Sequence, residues 1–259
     1  MSTGPATDAE WAALISTLKE QIPERPLFQA PIPLNIPQLI DHTLLSVPAE
    51  PGQIDQLCAE AKEHNFASVC VRLDHVARAT ANLEGAPGTV VACVVGFPEG
   101  AFDSSAKVRE AQEAVERGAS ELDMVINYPL LKEGRYQAVY NDIVAVRQAA
   151  PAPVKLKAIV ETSQLDRDQL IAATVLVCKA GADFVKTSTG FRGAGADPES
   201  VTTMRMVADV CGSTCKVKAS GGIRSASDFL RMVKAGAMRI GTSSGVKIMK
   251  EVDEGRLLE

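Results

Sequence analysis

The chain has 259 residues, 46% of them hydrophobic and 23% charged, enough to bury a large core in one α/β barrel or two small domains. Its 27 Lys and Arg against 32 Asp and Glu leave a formal charge of −5 with no basic stripe, which argues against a nucleic-acid partner. Three scattered histidines, six cysteines without a C-x-x-C pair, no basic-then-apolar leader and no apolar run approaching ~18 residues speak against a zinc centre, a disulfide framework, a processed signal and a membrane span. Reduced core thiols and a cytoplasmic location are the expectation.

Residues 1–36 differ in pattern from the rest. Trp11, Leu14, Ile15 and Leu18 recur at helical spacing and predict an amphipathic helix from about Asp8 to Gln21. A proline-rich connector comes next, carrying Pro23, Pro26, Pro31, Pro33 and Pro37. This segment reads as an extension that lies on the main domain or mediates self-association, with a homodimer as the assembly it would suit. Residues 37–259 read as the catalytic domain.

From Ile36 onward, short β-rich runs alternate with helical patterns. Strands are expected at 38–43, 66–71, 89–96, 120–127, 154–161, 182–188, 215–220 and 237–243. Helices are expected near 50–64, 73–82, 103–117, 135–149, 165–179, 198–211, 225–235 and 244–253. Eight strand-then-helix units favour a closed parallel TIM (β/α)8 barrel, with the N-terminal helical and proline-rich segment appended, over an open sheet. RGASELDMV (117–125), KAGADFVKT (179–187) and KAGAMRIGT (234–242) repeat one device: a basic residue and a glycine end a helix before the chain enters a strand. Glycine there supplies the left-handed cap. No G-x-G-x-x-G comes after the first strand, which disfavours a dinucleotide fold.

Side chains alternate along a strand, so charged residues of one parity mark a polar barrel interior. That face carries Asp41 and Thr43 in strand one and Asp123, Val125 and Asn127 in strand four. Strand five adds Lys155, Lys157, Ile159 and Glu161, strand six Phe184, Lys186 and Ser188, and strand seven Lys216, Lys218 and Ser220. Lys186 ends a short apolar strand and leads into Ser/Thr/Gly residues, and Lys218 holds the equivalent place in the next strand. Most lysines are solvated surface charges. Two at matching strand tips are better read as an amine nucleophile with a cationic neighbour, since only a neutral amine attacks a carbonyl. Asp123 among three ammonium groups suits proton relay. The ordinary alternative is an idle buried ion-pair network. Gly221 and Gly222 after strand seven, and the GTSSG run (241–245) after strand eight, form turns whose N–H groups would seat an anion in the usual phosphate position of such barrels.

DHTLL (41–45), ELDMVIN (121–127), LKAIVET (156–162), ADFVKTSTG (182–190), VKASGGIR (217–224) and GTSSG (241–245) together resemble the deoxyribose-phosphate aldolase family from about residue 37 to about residue 250. The resemblance implies a TIM barrel and a class I aldolase without metal or cofactor. Its substrates would be a sugar phosphate and aldehydes: 2-deoxy-D-ribose 5-phosphate is cleaved reversibly to acetaldehyde and D-glyceraldehyde 3-phosphate. It further implies that Lys186 forms the Schiff base, that Lys218 lowers its proton affinity and that Asp123 joins a water-assisted relay. Asp41, Lys157 and Thr189 would line the substrate region, and Gly190, Gly221, Gly222, Ser243 and Ser244 would hold the phosphate. The N-terminal extension has no counterpart in shorter members. Some members end in a tail whose terminal tyrosine aids proton transfer, whereas the last tyrosine here is Tyr140, so water or another residue is expected to serve that step. A class I aldolase for a different sugar phosphate, an isomerase on the same barrel, and a non-enzymatic binding module remain the alternatives.

Overall fold

Thr7 opens the first helix with a reciprocal cap: its hydroxyl accepts from the Glu10 N–H, and the Glu10 carboxylate accepts from the Thr7 N–H. The structure, a computed structural model, describes residues 4–24 and 28–255. Pro26 of the connector, and residues 256–259, lie outside the described residues. Helix α1 (Asp8–Lys19) buries Trp11 and Ile15. The Trp11 ring lies 4.8 Å from that of Tyr140, and its indole N–H donates to Gln137 at 2.9 Å.

Eight parallel strands then close a barrel in chain order: β1 (Ile40–Thr43), β2 (Ser68–Val71), β3 (Val90–Val95), β4 (Glu121–Val125), β5 (Lys155–Ile159), β6 (Phe184–Lys186), β7 (Lys216–Ser220) and β8 (Arg239–Thr242), with β8 pairing back onto β1. The intervening helices are α2 (Pro51–Glu63), α3 (Val76–Asn82), α4 (Ser104–Glu116), α5 (Tyr128–Lys132), α6 (Tyr136–Ala149), α7 (Arg167–Lys179), α8 (Pro198–Val210), α9 (Ala226–Lys234) and α10 (Gly245–Asp253). Their starts are set by local chemistry. Asp166 and Gln169 form a capping box on α7, Asp197 caps α8 just ahead of Pro198, and Ser225 caps α9. Gly118, Gly181 and Gly236 take positive φ where the repeated motif predicts a left-handed cap.

The strands are shorter than the apolar runs that announce them, because regular pairing ends where the chain bends toward its helix. Helix α5 is an addition to the expected elements. Its signal is present as Asn127-Tyr128-Pro129: the Asn127 side chain accepts from the Leu130 N–H at 3.2 Å, with proline in the first turn.

Outward-facing strand residues such as Leu122, Met124, Leu156, Ala158, Val185, Val217 and Ile240 are fully buried beneath the helices. Each large one contributes about 1.5–3 kcal/mol by leaving water. Helix α1 packs over α6 and α7, so the extension adds a further layer on one flank. Lys155 and Lys216 share the interior parity, but the structure corrects their placement. Each stands first in its strand, exposed at the N-terminal end of the barrel, away from the tip that carries Lys186. All six cysteines are free thiols, and none of the described helices is long and apolar enough to cross a membrane.

Candidate active site

The register of the strands decides which interior side chains meet. Lys186 pairs with Lys218 across β6 and β7, Lys218 with Arg239 across β7 and β8, and Asp123 with Lys157 across β4 and β5. Side chains from five adjacent strands, β4 to β8, therefore converge on the barrel axis, joined by Asp41 of β1 and Ser68 of β2.

Asp123 is the hub. Its Oδ1 accepts from Lys157 Nζ at 2.7 Å, and its Oδ2 accepts from Lys186 Nζ at 2.7 Å and from Lys218 Nζ at 2.6 Å. Lys218 also donates to Asp41, and Lys157 lies 2.6 Å from Glu121 Oε2 and 3.6 Å from Asp41 Oδ2. Arg239 closes the ring with contacts of 2.5 Å to Asp41 and 3.1 Å to Glu121, while the Ser68 hydroxyl donates to Asp41 Oδ1 at 2.7 Å. Asp41, Asp123, Lys157 and Lys218 are fully buried. Buried ions are tolerable only when paired and hydrogen-bonded, and here every member has at least one opposite charge in contact.

The four cations outnumber the three carboxylates, and the contacts show which cation is held least. Lys218 touches two carboxylates, Lys157 touches two with a third near, and Arg239 touches two. Lys186 has only Asp123 as an ion-pair partner among the described residues. Burial pulls the Lys186 ammonium below its ordinary pKa, Asp123 only partly offsets this, and the neighbouring Lys218 charge lowers it further. For Lys218 the sign is reversed: burial again disfavours the charge, but Asp123 and Asp41 outweigh it and raise the pKa. Lys157 and Arg239 are raised in the same way. Burial would push Asp123 upward, yet Lys157, Lys186 and Lys218 hold its carboxyl well below the usual carboxylate range. The arrangement keeps Lys218 and Lys157 charged and lets Lys186 lose its proton.

Lys186 is also the member of this cluster that opens onto a cavity. The cavity, of about 590 Å³, lies at the C-terminal mouth of the barrel, walled by Leu44, Leu45 and Val47 on one side and by Thr189, Gly190, Gly221, Gly222 and Ser243 on the other. These loops are tied together at their base: Ser220 Oγ donates to the Ser188 carbonyl at 2.5 Å, and the Ser220 N–H donates to Thr187 Oγ1 at 2.9 Å. Gly195 lies against the Gly221 peptide so closely that any Cβ would overlap the Gly221 carbonyl, and the Ala196 N–H donates to that same carbonyl at 3.0 Å.

The expected site residues fall into two groups. Lys186, Lys218, Asp123, Asp41 and Lys157 are brought together in the charge network. Thr189, Gly190, Gly221, Gly222 and Ser243 surround the cavity. Asp41 and Lys157, expected against the substrate, are buried beneath the cavity floor and serve Lys218 and Asp123 instead. Ser244, expected at the phosphate, is not part of the cavity wall; its N–H donates to Thr242 Oγ1 at 2.9 Å as α10 begins. Glu121 and Arg239 are members of the network that sequence reasoning missed, although each lies on the interior parity, two residues before Asp123 and Gly241 respectively. Glu161 shares the interior parity, but nothing in its spacing announces a left-handed residue (φ 59°, ψ 66°) whose carboxylate reaches Thr189.

Residues 36–251 match the family model described as DeoC/LacD family aldolase. The chain is 53% identical to the deoxyribose-phosphate aldolase of Coccidioides immitis (strain RS) over 250 residues, covering 95% of this chain and 92% of that protein. It is 48% identical to deoxyribose-phosphate aldolase 2 of Staphylococcus aureus (strain MRSA252) over 220 residues, 85% of this chain and 98% of the other. Among solved structures, a deoxyribose phosphate aldolase from Aeropyrum pernix, described as a unique tetrameric structure, superposes with a TM-score of 0.77 at 35% identity, covering 84% of this chain and 90% of the other. A crystallised Coccidioides immitis chain assigned to the same enzyme superposes with a TM-score of 0.94 at 51% identity, covering 97% of this chain and 100% of the other.

Proposed function

The chain belongs to the DeoC/LacD family of aldolases, and from that premise we propose that it reversibly cleaves 2-deoxy-D-ribose 5-phosphate into acetaldehyde and D-glyceraldehyde 3-phosphate through a Schiff base on Lys186. The observation that carries this reading is the contrast between Lys186, facing the cavity with a single carboxylate partner, and Lys218, charged and held by two.

Neutral Lys186 attacks the C1 aldehyde of the open-chain sugar, and loss of water with uptake of one proton from solvent leaves a protonated imine. Asp123, acting through water, accepts the C3 hydroxyl proton. The C2–C3 bond breaks, its electron pair flows into the imine to give an enamine, and D-glyceraldehyde 3-phosphate leaves. Protonation of the enamine at C2 and then hydrolysis release acetaldehyde and regenerate the amine. Burial and the charge on Lys218 lower the pKa of the Lys186 amine, and Lys157 helps keep Asp123 ionised. The phosphate would rest against the Gly190, Gly221–Gly222 and Ser243 turns, beside the start of α10, whose N-terminal dipole favours an anion.

Trapping with sodium borohydride in the presence of deoxyribose 5-phosphate tests the proposal. The expected result is a single adduct on the peptide containing Lys186; a stable adduct on Lys218 or elsewhere would reassign the nucleophile. We infer in addition that the enzyme works in the cytoplasm as a homodimer. The six free thiols support the first inference, and the exposed Phe28, Ile32 and Leu34 of the connector after α1 support the second; light scattering on the purified chain tests the assembly.

A further inference from the structure

Glu161, just beyond β5, sits in the left-handed region, one of two described non-glycine residues with positive φ, and its side chain is fully buried. Its neighbours hold it there: the Thr162 N–H donates to the Thr187 carbonyl at 3.0 Å, and the Thr162 hydroxyl lies 3.2 Å from that of Ser188. A strained conformation persists only where its surroundings over-determine it, and such positions cluster at functional sites. The turn aims the carboxylate at one residue. Glu161 Oε2 accepts from the Thr189 hydroxyl at 2.5 Å, and both carboxylate oxygens lie 3.3 Å from the Thr189 backbone nitrogen.

A hydroxyl has one proton to give. That of Thr189 is committed to Glu161, and the Phe191 N–H donates to Thr189 Oγ1 at 3.1 Å. The hydroxyl has nothing left to donate and one lone pair left to offer, on a residue that lines the cavity beside Lys186. We propose that Glu161 is a positioning residue that fixes the Thr189 hydroxyl as an acceptor toward the cavity, so that it takes a hydrogen bond from a substrate hydroxyl. This rests on the sugar-phosphate reading of the site. A carboxylate suits the task better than an amide: it only accepts, so the Thr189 proton cannot be turned around, whereas glutamine offers an N–H that would let the hydroxyl reverse and donate.

The test compares two ligands that share the Schiff base and differ in hydroxyl groups: deoxyribose 5-phosphate, monitored as kcat/KM for cleavage, and acetaldehyde, monitored as the rate of borohydride trapping on Lys186. Glu161→Gln should lower kcat/KM for the sugar phosphate about 10- to 100-fold, the worth of a hydrogen bond to a charged group, while acetaldehyde trapping stays within about twofold. Thr189→Val should show the same split, Thr189→Ser should restore near-normal cleavage, and the Glu161→Gln/Thr189→Val double variant should be no worse than the poorer single one. Losses that multiply in the double variant, acetaldehyde trapping that falls in step with cleavage, or an unimpaired Glu161→Gln would each overturn the proposal. If Glu161→Gln does not fold, the contrast between Thr189→Val and Thr189→Ser decides the matter, and equal activity in the two defeats it. A wild-type protein that traps no aldehyde and cleaves no sugar phosphate defeats the underlying reading instead, and this inference with it.

Discussion

Lys186 and Lys218 donate to the same carboxylate oxygen, Oδ2 of Asp123, at 2.7 and 2.6 Å. Two ammonium groups forced onto one acceptor cannot be equally content. Lys218 has Asp41 as a second anchor and, among the described residues, Lys186 has none, so geometry designates which of them yields its proton.

Replacing Lys218 should therefore act through Lys186. Lys218→Leu removes the repelling charge, so the Lys186 pKa rises and the neutral fraction at a given pH falls. The acid limb of the kcat/KM profile should move to higher pH, with cleavage at neutral pH reduced at least about 100-fold. An unmoved acid limb in a folded variant would rule out the electrostatic role. Lys186→Ala should abolish both turnover and trapping.

Acid should unfold the protein through the carboxylates of the network. Asp41, Asp123 and Glu121 have folded-state pKa values held below normal by their lysine and arginine partners against the opposing effect of burial. A depressed pKa stabilises the fold above the unfolded carboxylate value of about 4, and that contribution is lost as pH falls through the folded value. Glu161 runs the other way: burial raises its pKa above the unfolded value, so its contribution favours the fold at low pH and fades as pH rises through the folded value. Burial raises Glu110 in the same sense and lowers His42, whose contribution is lost as pH falls below its unfolded value of about 6.5, so urea unfolding should show stability declining gently below about 6.5 and steeply below about 4. A flat profile to pH 3 would contradict the pairing.

The N-terminal helix should contribute stability and leave chemistry alone. Trp11 is 1% exposed, packs against Tyr140 and donates to Gln137. Trp11→Ala should cost about 3–4 kcal/mol in denaturant unfolding while kcat stays within about twofold. A large fall in kcat with stability intact would place the extension in the catalytic machinery.

Gly195→Ala should injure phosphate handling selectively. The added methyl would overlap the Gly221 carbonyl and push the Gly221–Gly222 turn out of place. KM for deoxyribose 5-phosphate should rise about tenfold or more, with little change for acetaldehyde trapping, which makes no use of that turn. Equal injury to both would show that the turn supports Lys186 itself.

Much of this site is legible from strand parity. The alternation in ELDMVIN, LKAIVET and ADFVKTSTG puts Asp123, Lys157 and Lys186 on one face, and barrel closure brings them together. Parity does not give depth, however. It does not tell that Asp41 and Lys157 end under the cavity floor, or that Lys155 and Lys216 open at the far end, because strand stagger sets height along the axis. Glu121 and Arg239 obey the same parity but escape notice because each begins a strand, where the exposed lysines Lys155 and Lys216 also stand. The role of Glu161 is hidden for a different reason: a left-handed turn at a glutamate is imposed by its neighbours and leaves no trace in local composition.

The unequal tally of Asp41, Glu121 and Asp123 against Lys157, Lys186, Lys218 and Arg239 has a consequence for turnover. Among those seven groups, charge balances when Lys186 is an uncharged amine and all three carboxylates are ionised. Each imine that forms on it restores an unbalanced plus, and scission of the carbon–carbon bond neutralises the nitrogen while Asp123 takes up a proton, so the plus moves and does not vanish. The interior thus carries one excess positive charge from imine formation until hydrolysis frees the amine and returns a proton to water.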